Sequence, residues 1–213
     1  MKWSDCAWNE ASHIYRSILE LPFVRELSDG TLSEDRFLFY IRQDAIYIEN
    51  YSRILAHIAS RLPQQKQTED FMKFASDGIM VEKLLHEAYL AGKKSDIGPT
   101  PTTLLYTSFE SSKTFEPVEI EAAAILPCFW VYQKVGEEII KGSSQDNPYS
   151  HWIETYADKT FAESTARAIE ICDELAGNTT PEIREKMTRT FVMSTRMEWM
   201  FWDSAYNFEK WKI

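Results

Sequence analysis

The chain has 213 residues and a net charge of −10, with a pI near 5.0. That length supports one large domain with a substantial core. The acidic balance excludes a nucleic-acid binder, which needs clustered Lys and Arg against phosphate, and no apolar run approaches the ~20 residues a membrane span requires.

Apolar residues recur at spacings of three and four almost throughout, with glycines and prolines between the periodic stretches. The segment Met1-Lys2-Trp3-Ser4-Asp5 reads as the start of a helix, without a secretion signal. The pattern predicts helices over about 3–20, 22–28, 33–61, 65–91, 101–112, 117–141, 149–156, 158–176 and 181–209. Gly30, Gly92, Gly98, Gly142 and Gly177 mark breaks. Ser33-Glu34-Asp35 supplies an acidic helix start. Pro117 suits a first helical position, and Thr180-Pro181-Glu182 combines an N-cap with a proline at N1. Long helices joined by short loops imply antiparallel neighbours, so the expected architecture is an all-α, single-domain bundle spanning 1–213. No hairpin signal or 20–50-residue repeat is present.

Three helix faces carry chemistry. On the first, Asp44, Tyr47 and Tyr51 fall at i, i+3 and i+7. Phe37, Phe39, Tyr40 and Ile41 mark that segment as buried, where a carboxylate needs hydrogen-bond partners. Asp44 either belongs to a structural tyrosine network or lines a ligand cavity. On the second, Leu126-Pro127-Cys128-Phe129-Trp130-Val131-Tyr132 places a thiol one residue after a proline inside an otherwise helical run. The proline lacks an N–H and clashes with the carbonyl of Ala123. Tyr132 lies at i+4 from Cys128, on the same face. A buried cysteine acting as a small hydrophobe is the competing reading. On the third, Glu198 stands among Met197, Trp199, Met200, Phe201 and Trp202. Apolar surroundings raise a carboxyl pKa and make it a proton donor near neutral pH. The alternative is a surface pair with Arg196 or Arg189. Tyr106 and Tyr156 add further aromatic surface, as core or as pocket wall.

Other chemistries have little support. Cys6, Cys128 and Cys172 are odd in number and widely spaced, a poor disulfide framework that points to a reducing cytoplasm. Glu-x-x-His occurs once, at Glu10–His13, where a di-iron bundle needs it twice. His13 alone is a weak haem ligand. There is no Ser elbow and no phosphate loop.

Taken together, Leu21-Pro22-Phe23-Val24, Phe39-Tyr40-Ile41-Arg42-Gln43-Asp44, the Leu126–Tyr132 segment and Glu198-Trp199-Met200-Phe201-Trp202-Asp203 resemble the TenA family of thiaminase II or aminopyrimidine aminohydrolase proteins. Cys128 places the chain with the cysteine-containing subgroup. The resemblance implies a fold similar to haem oxygenase, without haem, and a homotetramer; the chemistry calls for no metal or organic cofactor, and aromatics expected to be exposed, such as Trp3 or Trp211, are candidates for subunit contacts in a cytoplasmic protein. It implies hydrolysis of 4-amino-5-aminomethyl-2-methylpyrimidine to the hydroxymethyl pyrimidine and ammonia, with thiamin as a slower second substrate. By motif position Cys128 is the nucleophile, Glu198 the acid/base, and Asp44 and Tyr132 their partners; Tyr47, Tyr106, Tyr156 and Phe201 form the pyrimidine pocket. In the expected chemistry Asp44 fixes or deprotonates Cys128, Tyr132 stabilises the resulting charge, and the ring lies between Tyr47 and Phe201. A non-catalytic pyrimidine carrier and a same-fold hydrolase of another amine are the rival readings.

Overall fold

A computed structural model of the protein describes residues 2–90, 97–144 and 146–213, without the side chains of residues 81–83 and 86. Nine α-helices are present among them: α1 (Trp3–Leu19), α2 (Pro22–Asp29), α3 (Glu34–Arg61), α4 (Gln65–Leu90), α5 (Pro101–Ser112), α6 (Val118–Gly142), α7 (Ser150–Ala157), α8 (Lys159–Gly177) and α9 (Pro181–Tyr206). A 3₁₀ turn, Lys113–Phe115, links α5 to α6. The described residues contain no strand, and the all-α expectation holds. Ala91 and Gly92, where the pattern ended the fourth helix, lie outside the described residues.

Local chemistry sets the boundaries. Thr100 and Thr180 each cap a helix, accepting from the N–H three residues on, with a proline at the next position. Gly30 closes α2 at φ +72°, a left-handed conformation that costs other residues more. The last helix ends at Tyr206, three residues before its predicted end. Phe208 takes φ +50°, and the Glu209 N–H donates back to the Ser204 carbonyl. The Glu209 carboxylate then accepts from Thr102 N and Oγ1, at 2.8 and 3.0 Å. Residues that continue the helical period therefore cap α5 instead, placing a negative charge at the positive end of its dipole.

The central helix is α6. It packs on α7, α8 and α9, while α3 pairs with α4 and α1 lies on α9. Ala122, Ala123 and Ala124 are fully buried, and the helix runs on through Pro127. At Gly136 a Cβ would lie 2.8 Å from the carbonyl carbon of Tyr156. That contact sets α7 directly against the α6 backbone.

Glu121, fully buried on α6, accepts from Arg61 and lies 2.7 Å from His57 Nδ1, latching α6 to α3. Buried apolar side chains from all nine helices form a continuous core. Trp3, expected at a subunit contact, is part of it: its indole donates to Thr188 Oγ1 at 3.0 Å and meets Phe191 edge-on. Trp211 is 54% exposed. No helix among the described residues is long and apolar enough to cross a membrane.

Candidate active site

The polar faces of α3, α5, α6 and α9 meet because Gln43 docks α5 onto α3. Its buried Oε1 accepts from Thr100 N at 2.9 Å and Thr103 Oγ1 at 2.8 Å, and its Nε2 donates to the Gly98 carbonyl. This turns Tyr106 and Glu110, one turn apart on α5, towards the interior, where both are buried. A cavity of ≈ 420 Å³ opens alongside, with Asp44, Tyr51, Cys128, Phe129, Tyr156 and Phe161 in its wall and Met80 and Leu84 at its exposed margin. Its size and largely apolar lining suit a small flat ligand.

Cys128 is half-buried on this wall. Burial raises its pKa well above the usual thiol value; the negative charges of Glu198 and Glu110 add to that and Asp44 adds least, while hydrogen bonding with Tyr47 opposes it. Tyr51 also reaches the thiol, with its hydroxyl proton on the Ile125 carbonyl at 3.0 Å.

Glu198 is 1% exposed and accepts from the Tyr106 hydroxyl at 2.8 Å. Burial pushes its pKa up to about 8, with the Tyr106 bond opposing and Asp44 reinforcing the shift. The surface pairing with Arg189 or Arg196 is therefore not formed; Arg189 pairs with Glu185.

The eight expected site residues fall into one cluster of different depths. Asp44, Cys128 and Tyr156 reach the cavity; Tyr47, Tyr106, Tyr132, Glu198 and Phe201 are buried beside them. Two expectations need correction. The Tyr132 hydroxyl accepts from Tyr40 at 3.3 Å, and the hydroxyls at the thiol belong to Tyr47 and Tyr51. An i+4 residue shares the face of Cys128, but its ring is drawn into a stack with Tyr156 and Trp202, with centroids 4.9 and 4.8 Å away. Tyr47 and Phe201 do not leave a slot for a ring. Their centroids are 5.9 Å apart at 52°, so they pack on each other.

Glu110 is a site residue that its sequence surroundings do not mark. It is fully buried, accepts from the Tyr47 hydroxyl at 2.9 Å on Oε1, and has no partner on Oε2 among the described residues. Burial raises its pKa well above the usual value, and Glu198 raises it further. Its i+4 spacing from Tyr106 was the available signal.

A larger groove of ≈ 700 Å³ lies between α1, α8 and α9. Its polar groups are already taken up: Asp173 accepts from Ser4 N and Oγ, and Arg184 donates to the carbonyls of Ala176 and Thr179. The described residues hold no group of three His, Cys, Asp or Glu fit for a metal, and His13 is exposed.

Comparison with known proteins agrees with this architecture. The chain is 32% identical to the aminopyrimidine aminohydrolase of Bacillus subtilis, over 99% of this chain and 92% of that one. It is 34% identical to the thiamine biosynthesis multifunctional protein ThiED of Corynebacterium efficiens, over 95% of this chain and 28% of that protein, so it spans about a quarter of that relative. A solved TenA homologue from P. horikoshii superposes with a TM-score of 0.83 at 28% identity, covering 97% of this chain and 99% of that one. A domain of heme oxygenase-like fold from Shewanella denitrificans superposes at 0.75 with 15% identity, over 93% and 90%, and shares the fold. With a family profile matching residues 8–208, the chain belongs to the TENA/THI-4/PQQC family.

Proposed function

We propose that the protein hydrolyses the C–N bond at the C5 methylene of 4-amino-5-aminomethyl-2-methylpyrimidine, giving the hydroxymethyl pyrimidine and ammonia, with thiamin as a slower substrate. The observation that carries this reading is a thiol on the cavity wall beside a buried carboxyl group with a pKa of about 8. A carrier needs neither a nucleophile nor a proton donor. The name of the B. subtilis relative supports the same substrate class.

The chemistry follows from the ring. The Cys128 thiolate adds to the electron-poor C6 while Glu198 protonates N1. The adduct's enamine electrons then expel the amine, protonated as an ammonium group, from the C5 methylene as ammonia. Water adds to the exocyclic methylene and gives its spare proton to the ammonia, Glu198 takes the N1 proton back, and the thiolate leaves. Asp44, on the wall, accepts from the 4-amino group. Tyr156 provides an aromatic face, with Tyr47, Tyr106 and Phe201 fixing the floor, and Tyr132 holds Tyr156 in place.

Residues 1–213 act as one domain in this reading, supported by the continuous core. A cytoplasmic homotetramer is compatible with three free thiols and with exposed apolar side chains at Met72, Leu104, Leu105 and Phe115. The test is ammonia release from the aminomethyl pyrimidine by wild type and by Cys128→Ser. Release that the variant loses supports the reading; a wild type that binds the pyrimidine without releasing ammonia overturns it in favour of a carrier.

A further inference from the structure

The α4 helix carries a glycine where its inward face calls for an apolar side chain. Phe71, Phe74, Ala75 and Leu85 are buried on that face, and Gly78 falls in register with them, one turn after Phe74. A glycine inside a helix is less stable there than alanine. Neither backbone conformation nor close packing requires it. Its φ is not positive, and a Cβ at Gly78 would meet only Ser52 Oγ, at an ordinary 3.5 Å. At Gly136, by contrast, a Cβ would lie 2.8 Å from backbone. The open space in front of Gly78 is the cavity, whose wall it joins.

Ser52 makes the same gap polar. It is 4% exposed, and its hydroxyl has no hydrogen-bond partner among the described residues. An unpaired buried hydroxyl is destabilising, and an alanine would fit the position as well. Asp44, Ile48 and Ser52 stand at i, i+4 and i+8 along α3, with Asp44 and Ile48 in the cavity wall. At the rise of a helix, Ser52 lies about 12 Å along the axis from Asp44. A pyrimidine whose 4-amino group donates to Asp44 is too short to reach it, and leaves much of the ≈ 420 Å³ empty.

On the hydrolase reading above, we propose that Gly78 and Ser52 form a leaving-group subsite, which admits aminomethyl pyrimidines whose departing nitrogen bears a short chain ending in a hydrogen-bonding group. Gly78 gives the chain room, Phe74 and Phe161 give it apolar sides, and Ser52 Oγ meets its polar end. The chemistry balances as it does for the unsubstituted amine. The C–N bond breaks and its electron pair leaves with the nitrogen. The water oxygen bonds to the methylene, and the spare water proton goes to the departing primary amine. Residues on α3 and α4 thus decide which amines the site releases, apart from the groups that act on the ring.

The test compares the aminomethyl pyrimidine with its N-(2-hydroxyethyl) and N-propyl derivatives, the last with a methyl in place of the hydroxyl. Chromatography of the hydroxymethyl pyrimidine gives kcat/KM for each. Gly78→Leu fills the gap and lowers kcat/KM for both N-substituted amines about tenfold relative to the unsubstituted one. Ser52→Ala lowers the hydroxyethyl substrate about fivefold relative to the propyl one, the worth of one hydrogen bond. Gly78→Ala shifts the same ratio as Gly78→Leu by less, melts no lower than wild type because alanine favours the helix, and serves if the leucine variant does not fold. A lower melting temperature for Gly78→Ala, an equal loss on all substrates in Gly78→Leu, or a hydroxyethyl-to-propyl ratio that survives Ser52→Ala overturns the subsite. A wild type that converts the unsubstituted amine alone rejects the subsite and keeps the hydrolase. If wild type converts none of them, calorimetric titration with the same amines separates the two claims. Tighter binding of the hydroxyethyl amine that Ser52→Ala and Gly78→Leu lose keeps the subsite and rejects hydrolysis; equal binding of all rejects both.

Discussion

Replacing Glu198 with glutamine should stabilise the protein, by an amount that depends on pH. The folded chain holds the Glu198 proton up to about 8, while the unfolded chain releases it near 4.5. Below pH 4.5 both states are protonated, and the carboxyl group costs nothing relative to glutamine. Above it only the unfolded chain deprotonates, and native stability falls by about 1.4 kcal/mol for each pH unit. By pH 7 the loss is about 3 kcal/mol, and above about 8 it stops growing because the folded form ionises too. Glutamine keeps an oxygen for the Tyr106 hydroxyl and has no proton to lose. Glu198→Gln should therefore match wild type near pH 4.5 and exceed it by about 3 kcal/mol at pH 7. For a chain of this size that is about 6–12 °C in Tm. Urea unfolding followed by far-UV circular dichroism at intervals between pH 4.5 and 8.5 measures the gap. A gap that is constant across the series, or a glutamine variant less stable at pH 7, would show that Glu198 is not held protonated by burial.

Catalysis should show the same group from the other side: the rate falls above about pH 8 as Glu198 loses its proton. Tyr106→Phe removes the bond that lowers this pKa, so the alkaline limb of the pH–rate profile should move up, with a stability cost of about 1–2 kcal/mol for the orphaned Oε1. Gly136→Ala should push α7 off α6, costing about 2 kcal/mol by thermal melt and raising KM through the displaced Tyr156. Glu121→Ala strips Arg61 and His57 of their buried partner and should cost about 3 kcal/mol, with KM unchanged, since the pair lies away from the cavity.

The helices were legible because their signals are local: threonine caps before prolines, and apolar spacing of three and four. The end of α9 was not, because Phe208 and Glu209 continue the period while a tertiary contact to Thr102 turns the chain. Asp44, Cys128 and Glu198 stood out because a polar group inside an apolar run is conspicuous. Glu110 did not, since Ser108-Phe109-Glu110-Ser111-Ser112 reads as solvated helix. Only the docking of α5 by Gln43 buries it. Likewise Tyr132 and Cys128 share a face by spacing, yet the hydroxyl at the thiol comes from another helix. One-dimensional periodicity gives the face a residue occupies and leaves open what meets it there.

The indoles beneath the site have a spectroscopic consequence. Trp152 and Trp202 are fully buried, and their rings lie 6.2 and 4.8 Å from that of Tyr132. Trp152 also touches Tyr156, on the cavity wall, with centroids 4.6 Å apart. Two dry chromophores are thus wired to the floor of the reaction chamber, where a shift of Tyr156 alters their surroundings at once. Trp211, half in solvent, donates to the Pro99 carbonyl and lies apart from this cluster. The protein's own fluorescence should therefore carry a blue-shifted component that changes when the cavity is filled, without a label.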